Sequence, residues 1–155
     1  MRQAVLLCLA MALILAPLGA HAEGMREQHP NLVFGEIGGK AIIFSAGYER
    51  YFNNRFGLGV GGIAFGAEDG AVGLFPIYAS FIPVGDMHSL YLSGGITYFA
   101  GADNWEEGWA EWFGTFSAGY QYQSEGGFFV RPTMNLLYKD EGFVLIPGVA
   151  LGGCF

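Results

Sequence analysis

The chain has 155 residues, of which 14 are acidic and 7 are Lys or Arg, so its formal net charge is -7. This length allows one domain, and the acidic excess argues against nucleic-acid binding because no basic stripe is available to neutralise phosphates. The chain contains 26 glycines and is 16% aromatic, whereas glycine makes up only ~7% of an average protein. Glycine suits tight turns and closely approaching strands, and aromatic side chains suit membrane interfaces. Composition therefore favours a β-barrel in lipid.

The first 22 residues have the pattern of a cleaved export signal. Arg2 provides a positive start, residues 5–18 are mostly apolar, and Ala20-His21-Ala22 places small residues where a signal peptidase reads them. The apolar run is short for a membrane anchor and contains the helix-breaking Pro17. We therefore predict a signal peptide over residues 1–22, an N-terminal periplasmic segment over 23–31 and an outer-membrane β-barrel over 32–155.

The remaining chain is predicted to form eight strands. No segment after residue 22 offers ~20 apolar residues without charge or repeated glycine, which excludes a membrane-spanning helix. Pieces of about ten residues rich in Tyr, Phe, Val and Ile alternate instead with turn residues. The predicted strands are 32–39, 42–52, 56–66, 72–82, 89–99, 111–123, 127–138 and 142–155. The fold class is thus all-β, an eight-stranded antiparallel up-and-down transmembrane β-barrel.

Alternating side-chain character predicts which face of a strand meets lipid, because a barrel in lipid must be apolar outside while its interior may be polar. In the predicted strand 127–138, apolar and aromatic residues occupy the even positions, whereas Arg131, Thr133 and Asn135 share the other face. The predicted strand 111–123 alternates in the same way. The predicted strand 42–52 places Glu49 inward, with a noisier pattern at its end. The glycine-rich strand 56–66 is ambiguous in its facing.

The connections predict the two rims of the barrel. In such barrels both termini lie in the periplasm, the turns there are short, and the outer loops are longer. The predicted periplasmic turns are 53–55, 83–88 and 124–126, and the predicted outer loops are 38–40, 66–71, 100–110 and 139–141. Since the first and last outer loops are tight, the outer rim is predicted to be low with one tall feature.

The chain ends on the apolar segment FVLIPGVALGGCF, whose outward face begins at Phe143 and finishes on Phe155. A terminal strand of this form resembles the recognition signature of bacterial outer-membrane proteins, which the barrel-assembly machinery reads, so Phe155 is predicted to be an assembly signal. The alternative is a buried closing strand of a soluble sandwich. Cys154 falls on the inward face, where we expect it to be a small, buried side chain that fills space in the interior. It is the only cysteine after residue 22, so no intramolecular disulfide can form.

Taken together, these patterns resemble the small eight-stranded outer-membrane barrels of OmpA/OmpX-like architecture. The stretch VFGEIGGKAIIFSAGYERYF, residues 33–52, resembles the opening hairpin of a group of bacterial barrel proteins. The resemblance specifies a fold far better than an activity. It implies outer-membrane lipid and lipopolysaccharide as surroundings and the barrel-assembly machinery as a partner during biogenesis. We expect a monomer with no nucleic-acid partner and no cofactor.

Two groups of residues are candidates for chemistry. His88-Ser89 is an adjacent pair, but neighbouring residues of a strand point to opposite faces, so the two cannot readily form a nucleophile and base. Four acids, Asp103, Glu106, Glu107 and Glu111, crowd the predicted loop 100–110, yet their spacing does not match a dedicated calcium site. We therefore expect no catalytic residue and no metal ligand.

The same loop contains Trp105, Trp109 and Trp112 in the stretch ADNWEEGWAEW. Their spacings of four and three residues predict that a short helical turn could gather them. One interpretation is a contact surface for a ligand or partner. The other, which we favour, is an aromatic girdle at the level of the lipid headgroups.

Inside the barrel, the pattern predicts an interior charge network of Glu36, Glu49 and Arg131, with Arg131 between the two glutamates. Eight strands leave an interior just wide enough to be filled by side chains. The leading functional hypothesis is therefore a non-enzymatic outer-membrane barrel with a structural or surface-interaction role. A narrow channel for small or apolar solutes, like the OmpW group, and a lipid-modifying enzyme are the alternatives.

Overall fold

The computed structural model describes residues 24–67, 70–103, 107–140 and 142–155. The predicted signal peptide lies outside these residues. The elements are a helix α1 (Met25–Gln28), a 3-10 turn (Gly39–Ala41), and the strands β1 (Asn31–Gly38), β2 (Phe44–Tyr51), β3 (Phe56–Ala67), β4 (Gly70–Phe81), β5 (His88–Asp103), β6 (Glu107–Gln123), β7 (Phe128–Lys139) and β8 (Gly142–Cys154). None of the helices in this described part of the chain is long and apolar enough to cross a membrane.

The strands form a closed antiparallel barrel in which each strand pairs with its neighbours in sequence. Closure is made between β1 and β8, from Leu32 opposite Cys154 to Gly38 opposite Gly148. Where the sheet is closed, no strand has an unpaired edge. Strands in lipid require this, because lipid cannot hydrogen-bond to an open edge. The structure confirms the predicted eight-stranded up-and-down barrel.

The two ends of the barrel are distinguished by the chain termini. At the terminal end, backbone hydrogen bonds of 2.9 Å join Asn31 and Phe155 in both directions. The three connections at this end span residues 52–55, 82–87 and 124–127, close to the predicted turns. The opposite end, the loop end, carries the connections that we predicted to be outer loops.

Side-chain facing follows the predicted alternation. On β7, Arg131, Thr133 and Asn135 are buried in the barrel, whereas Phe128 and Met134 are exposed on its outside. β2, β6 and β8 alternate as predicted. For β3, which the sequence left ambiguous, Phe56, Leu58 and Val60 point outward and the intervening glycines point inward. The inward glycine at position 59 leaves room for Tyr78, because a Cβ there would lie 2.2 Å from the Tyr78 ring.

The predicted outer loops 66–71 and 100–110 are wrong in their extent, because the strands continue through most of both. β3 and β4 remain paired to Ala67 opposite Gly70, and β5 and β6 to Asp103 opposite Glu107. The neighbouring strands stop earlier, since β2 last pairs with β3 at Gly62 and β7 last pairs with β6 at Gly114. Residues 63–67, 70–74, 99–103 and 107–113 thus form a four-strand extension that rises beyond the rest of the loop end. The predicted tall feature exists, but it is a sheet.

Candidate functional site

The interior of the barrel is organised around an ion pair between Glu49 on β2 and Arg131 on β7. Arg131 Nη1 lies 2.7 Å from Glu49 Oε2, and both side chains are buried. The Glu49 carboxylate also accepts hydrogen bonds from the hydroxyls of Ser80 at 2.6 Å and Tyr78 at 3.0 Å. Three donors from two other strands therefore hold this carboxylate in place. A buried charge needs such partners to offset its desolvation.

The guanidinium of Arg131 lies among aromatic rings that fill the cross-section of the barrel. Its Cζ is 4.0 Å from the centroid of Tyr91, 5.2 Å from Phe129 and 5.6 Å from Phe34. Phe34 and Phe129 pack edge to face at 5.8 Å. Stacking of a guanidinium on aromatic faces is favourable when both are desolvated. At the level of Arg131, the side chains that the structure describes fill the interior of the barrel.

Glu36 does not join Arg131, contrary to our prediction of one network around that arginine. Glu36 is buried, but its charged neighbour is Lys40, with 4.0 Å between Lys40 Nζ and Glu36 Oε1. The Lys40 ammonium also lies 4.4 Å from the Tyr78 ring centroid and 5.5 Å from that of Tyr91. Among the residues that the structure describes, Glu49–Arg131 and Glu36–Lys40 are thus separate interior charge pairs, with tyrosine rings between them.

Lys40 reaches the interior because the turn between β1 and β2 folds inward. Gly38 and Gly39 have φ angles of 71° and 73°, which glycine adopts readily. A Cβ on Gly39 would lie 2.4 Å from the Glu36 carboxylate. The Thr97 hydroxyl donates to the Lys40 carbonyl at 3.1 Å, and Ala41 is fully buried. The 3-10 turn thus closes the lumen from the loop end.

A second closure stands at the terminal end, where sequence reasoning found no feature. Arg26 on α1 is fully buried, donates to the Asp86 carbonyl at 2.8 Å and also bonds the Ser89 hydroxyl. The Met25 amide donates to Asp86 Oδ1 at 2.8 Å. Burial lowers the pKa of the Arg26 guanidinium, against the opposing attraction of Tyr51 and Asp86. In the sequence, the only indication of this closure was Arg26 itself, which follows shortly after the predicted cleavage site.

Hydrogen bonds link α1 to the central ion pair. Arg131 Nε donates to Gln121 Oε1 at 2.9 Å, and Gln121 Nε2 donates to Gln123 Oε1 at 3.3 Å. Gln123 Nε2 then donates to the carbonyls of His29 at 3.2 Å and Met25 at 3.4 Å. A continuous polar chain therefore runs from Glu49 to the N-terminal segment.

We expect replacement of Arg26 by Met to change the free energy of unfolding by less than ~1 kcal/mol, since an apolar side chain of similar volume relieves the desolvation that opposes its charge. It removes, however, the hydrogen bonds that hold α1 in the barrel. Amide hydrogen exchange of residues 25–29 should accelerate while that of β7 stays unchanged. Arg55→Met, at the same end but on a connection, is the control. Equal exchange in both variants would contradict the assigned role of Arg26.

The tryptophans are not gathered by a helical turn, because Trp109 and Trp112 lie on opposite faces of β6. Trp105 lies outside the described residues. Trp112 faces outward and packs against Tyr98 at 4.5 Å, and Tyr98 pairs in turn with Phe75. These three form an outward aromatic row at the base of the four-strand extension. Trp109 is on the inner face of the extension, 4.6 Å from the Phe99 ring.

His88 and Ser89 are on opposite faces of β5, as predicted. His88 is exposed beside Tyr120, whose hydroxyl it contacts through Nδ1, whereas Ser89 is buried and donates to the Asp86 carbonyl at 2.7 Å. His88 and Ser89 therefore do not form a nucleophile–base pair. In the part of the chain that the structure describes, no three His, Cys, Asp or Glu side chains are grouped so as to hold a metal ion.

Phe155 lies at the terminal end with its ring exposed on the outside of the barrel. Its backbone is held by Asn31, whose side-chain amide also donates to the Phe155 carbonyl at 3.0 Å. Cys154 is buried beside it on the inward face. The terminal ring is therefore placed by strand pairing and is free to make contacts outside the barrel.

No protein-family model matches the sequence, and no curated protein matches it. The fold is similar to the crystal structure of the N-terminal β-barrel domain of Pseudomonas aeruginosa OprF, with a TM-score of 0.61 and 16% identity over 81% of this chain and 95% of that chain. It is also similar to the Yersinia pestis outer membrane protein Ail in a phospholipid bilayer nanodisc, with a TM-score of 0.50 and 15% identity over 82% of this chain and 99% of that one. The chain has the fold of the small eight-stranded bacterial outer-membrane barrels.

Proposed function

We propose that this protein is a non-enzymatic, monomeric barrel of the bacterial outer membrane whose lumen is closed and whose working surface is the loop end. The observation that carries the proposal is the filled interior. The Glu49–Arg131 pair spans the middle, α1 closes the terminal end, and the 3-10 turn closes the loop end. With the lumen occupied, the side chains that remain open to partners are those of the rims.

Support for a membrane setting comes from the outside of the barrel. Trp112 and Tyr122 are aromatic residues on the outward face of β6, separated by roughly 33 Å at ~3.3 Å per residue. A strand tilt of ~40° reduces this to ~25 Å along the barrel axis, the height of the apolar band in outer-membrane barrels. Large apolar side chains between these levels are exposed, including Leu90, Ile96 and Phe116. Lipid, with lipopolysaccharide at the loop end, would cover them.

The location is tested by membrane fractionation and gel mobility. The protein should partition with outer membranes, and the unheated sample should run faster on SDS gels than the boiled one, because a closed barrel stays compact until heated. Recovery in the soluble periplasm without detergent would contradict the proposal.

Planar-bilayer recordings test the channel alternative. The filled lumen predicts no steady conductance from the purified protein. A stable open conductance would favour the narrow channel instead. For the lipid-modifying alternative, a change in the lipid A mass profile of a deletion strain, reversed by the intact gene, would reveal enzymatic activity.

Deletion of Phe155 should lower the amount of folded barrel in cells while leaving detergent refolding of the purified chain largely intact. The reason is that the exposed ring contributes little to the interior but is available to the barrel-assembly machinery. Phe128→Ala is the control, since it removes another exposed ring beside β8 at the same end. Equal loss in cells and in detergent would show that Phe155 acts through packing.

A further inference from the structure

The outer wall of the barrel carries a single charged side chain among the residues that the structure describes. On the outward positions of the eight strands, Arg50 of β2 is the one Lys, Arg, Asp or Glu in this part of the chain. Arg50 is exposed, and so is Leu58, which stands opposite it on β3. A charge on a lipid-facing wall is costly at the centre of a bilayer and tolerated near its surface. The height of Arg50 along the barrel therefore decides what surrounds it.

Arg50 lies at the level of the lipid headgroups. It is the second-last residue of β2, next to the connection 52–55 at the terminal end. Tyr122, which marks the terminal-end border of the apolar band, is likewise the second-last residue of β6. Phe52 and Phe56 of the same hairpin expose their rings, and aromatic side chains favour the membrane interface. The guanidinium therefore meets the phosphates of the leaflet at the terminal end.

Arg50 has no countercharge within the described part of the protein. The ion pairs there use Arg26, Lys40, Arg131 and Lys139 as their cations. A guanidinium presents its N–H groups in a planar fork that matches the oxygens of a phosphate. A lipid phosphodiester can thus supply the negative charge that the protein does not.

The surroundings of Arg50 suit a phospholipid molecule. Asn31 stands opposite Arg50 on β1, and its side-chain oxygen accepts a hydrogen bond of 2.7 Å from the Tyr48 hydroxyl. These polar groups border the headgroup level. Toward the membrane centre, Val33 and Val60 stand on either side of Tyr48, and both are exposed. The face therefore combines a cation at headgroup height with an apolar strip for acyl chains.

We propose that Arg50 binds the phosphate of an anionic phospholipid, of the phosphatidylglycerol class, in the leaflet at the terminal end. A zwitterionic phospholipid offers the same phosphate, but its own cationic group offsets the charge that attracts Arg50. Lipopolysaccharide belongs to the opposite leaflet, at the loop end. This inference rests on the proposed outer-membrane location and names the lipid class for one face of the barrel.

Native mass spectrometry of the full barrel in neutral detergent tests the proposal. The probe is an equimolar mixture of phosphatidylglycerol and phosphatidylcholine with identical acyl chains. We expect the barrel to retain phosphatidylglycerol about fivefold more than phosphatidylcholine, the effect of one Arg near an anionic lipid. Arg50→Gln should bring the ratio close to one, and Arg50→Lys, which keeps the charge without the planar fork, should keep part of the preference. Equal retention of the two lipids by the unchanged protein would overturn the proposal.

Two control variants locate the site. Lys139→Gln makes the same charge change at the loop end, and Arg55→Gln makes it on the terminal-end connection beside β2. Both should keep the preference for phosphatidylglycerol. If Arg55→Gln abolishes it as fully as Arg50→Gln does, the general charge of the terminal end attracts the lipid and the outer-wall site is wrong. All variants should keep heat-modifiable gel mobility, since none of them changes the Glu49–Arg131 pair.

Inorganic phosphate separates a lipid site from a site for free phosphate. In large excess it should leave the retained phosphatidylglycerol in place, because it makes no acyl-chain contacts with the apolar strip. Displacement of the lipid by inorganic phosphate would overturn the lipid assignment.

The lipid experiment and the location experiment fail independently. A barrel that fractionates with outer membranes but retains both lipids equally would leave the proposed location intact and remove only the Arg50 site. Recovery of the protein in the soluble periplasm would remove the proposed location, whatever lipid the purified barrel retains in detergent.

Discussion

Replacing Arg131 with Leu is expected to lower the free energy of unfolding by about 3–5 kcal/mol, because it leaves the buried Glu49 carboxylate without its countercharge. Ser80 and Tyr78 would still donate to that carboxylate, but neither carries a positive charge. Lys40 is engaged with Glu36. The urea midpoint of the barrel refolded in detergent measures the loss.

Two comparisons make this result specific. Arg50→Leu is the same substitution on the outward face of β2, where removal of a charge should leave the midpoint unchanged or raise it slightly. Adding Glu49→Gln to Arg131→Leu should recover part of the loss, since an amide leaves no buried charge. A stabilised Arg131→Leu variant would contradict the inward facing of β7.

Gly95→Ala is expected to cost at least about 1–3 kcal/mol, the usual range for overpacking a filled interior. Gly95 lies on β5 opposite Tyr78 of β4. An added Cβ would lie 2.1 Å from the Ile77 carbonyl oxygen and 2.6 Å from Tyr78 Cα. These are backbone atoms, so relief requires the two strands to separate where Tyr78 reaches Glu49. Heat-modified gel mobility and the urea midpoint should both report the change.

The adjacent glycine is a matched control. A Cβ on Gly94 would have the Thr115 carbonyl oxygen as its nearest neighbour at 4.0 Å, so Gly94→Ala should change stability by less than ~0.5 kcal/mol. The two variants carry the same chemical change one residue apart, on opposite faces of β5. Equal destabilisation would point to a general loss of glycine flexibility and away from the close approach of β4 and β5.

The sequence was sufficient for the number of strands, for the facing of β2, β6, β7 and β8, and for the inward position of Glu49 and Arg131. The alternation of polar and apolar side chains is a local property of each strand. It recurs from strand to strand because the outside of the barrel is apolar. Arg131 shares the polar face of its strand with Thr133 and Asn135, which made its inward position recognisable without any knowledge of its neighbours. The sequence predicted Arg131 between Glu36 and Glu49, and the structure pairs it with Glu49.

The partner of Glu36 could not be found in this way. Lys40 lies in a tight glycine turn, where a lysine is ordinarily solvated. The positive φ angles of Gly38 and Gly39 turn Lys40 inward, where its ammonium lies beside Glu36 and the Tyr78 ring. Arg26 was missed for a related reason, since α1 has four residues, too few to show a helical period.

The height of the loop end was likewise decided by tertiary structure. The stretch with Trp105, Trp109 and Trp112 has helical spacing, yet β6 continues through Trp109 because β5 offers a paired strand and Phe99 packs on the Trp109 ring. Cross-strand contacts of this kind outweigh a weak local preference.

The sequence by itself therefore determined that the chain forms a barrel and which faces are polar, because both follow from local alternation. Tertiary structure decided which charges meet, what closes the lumen and how far the four-strand extension rises, because these depend on the register between strands far apart in sequence.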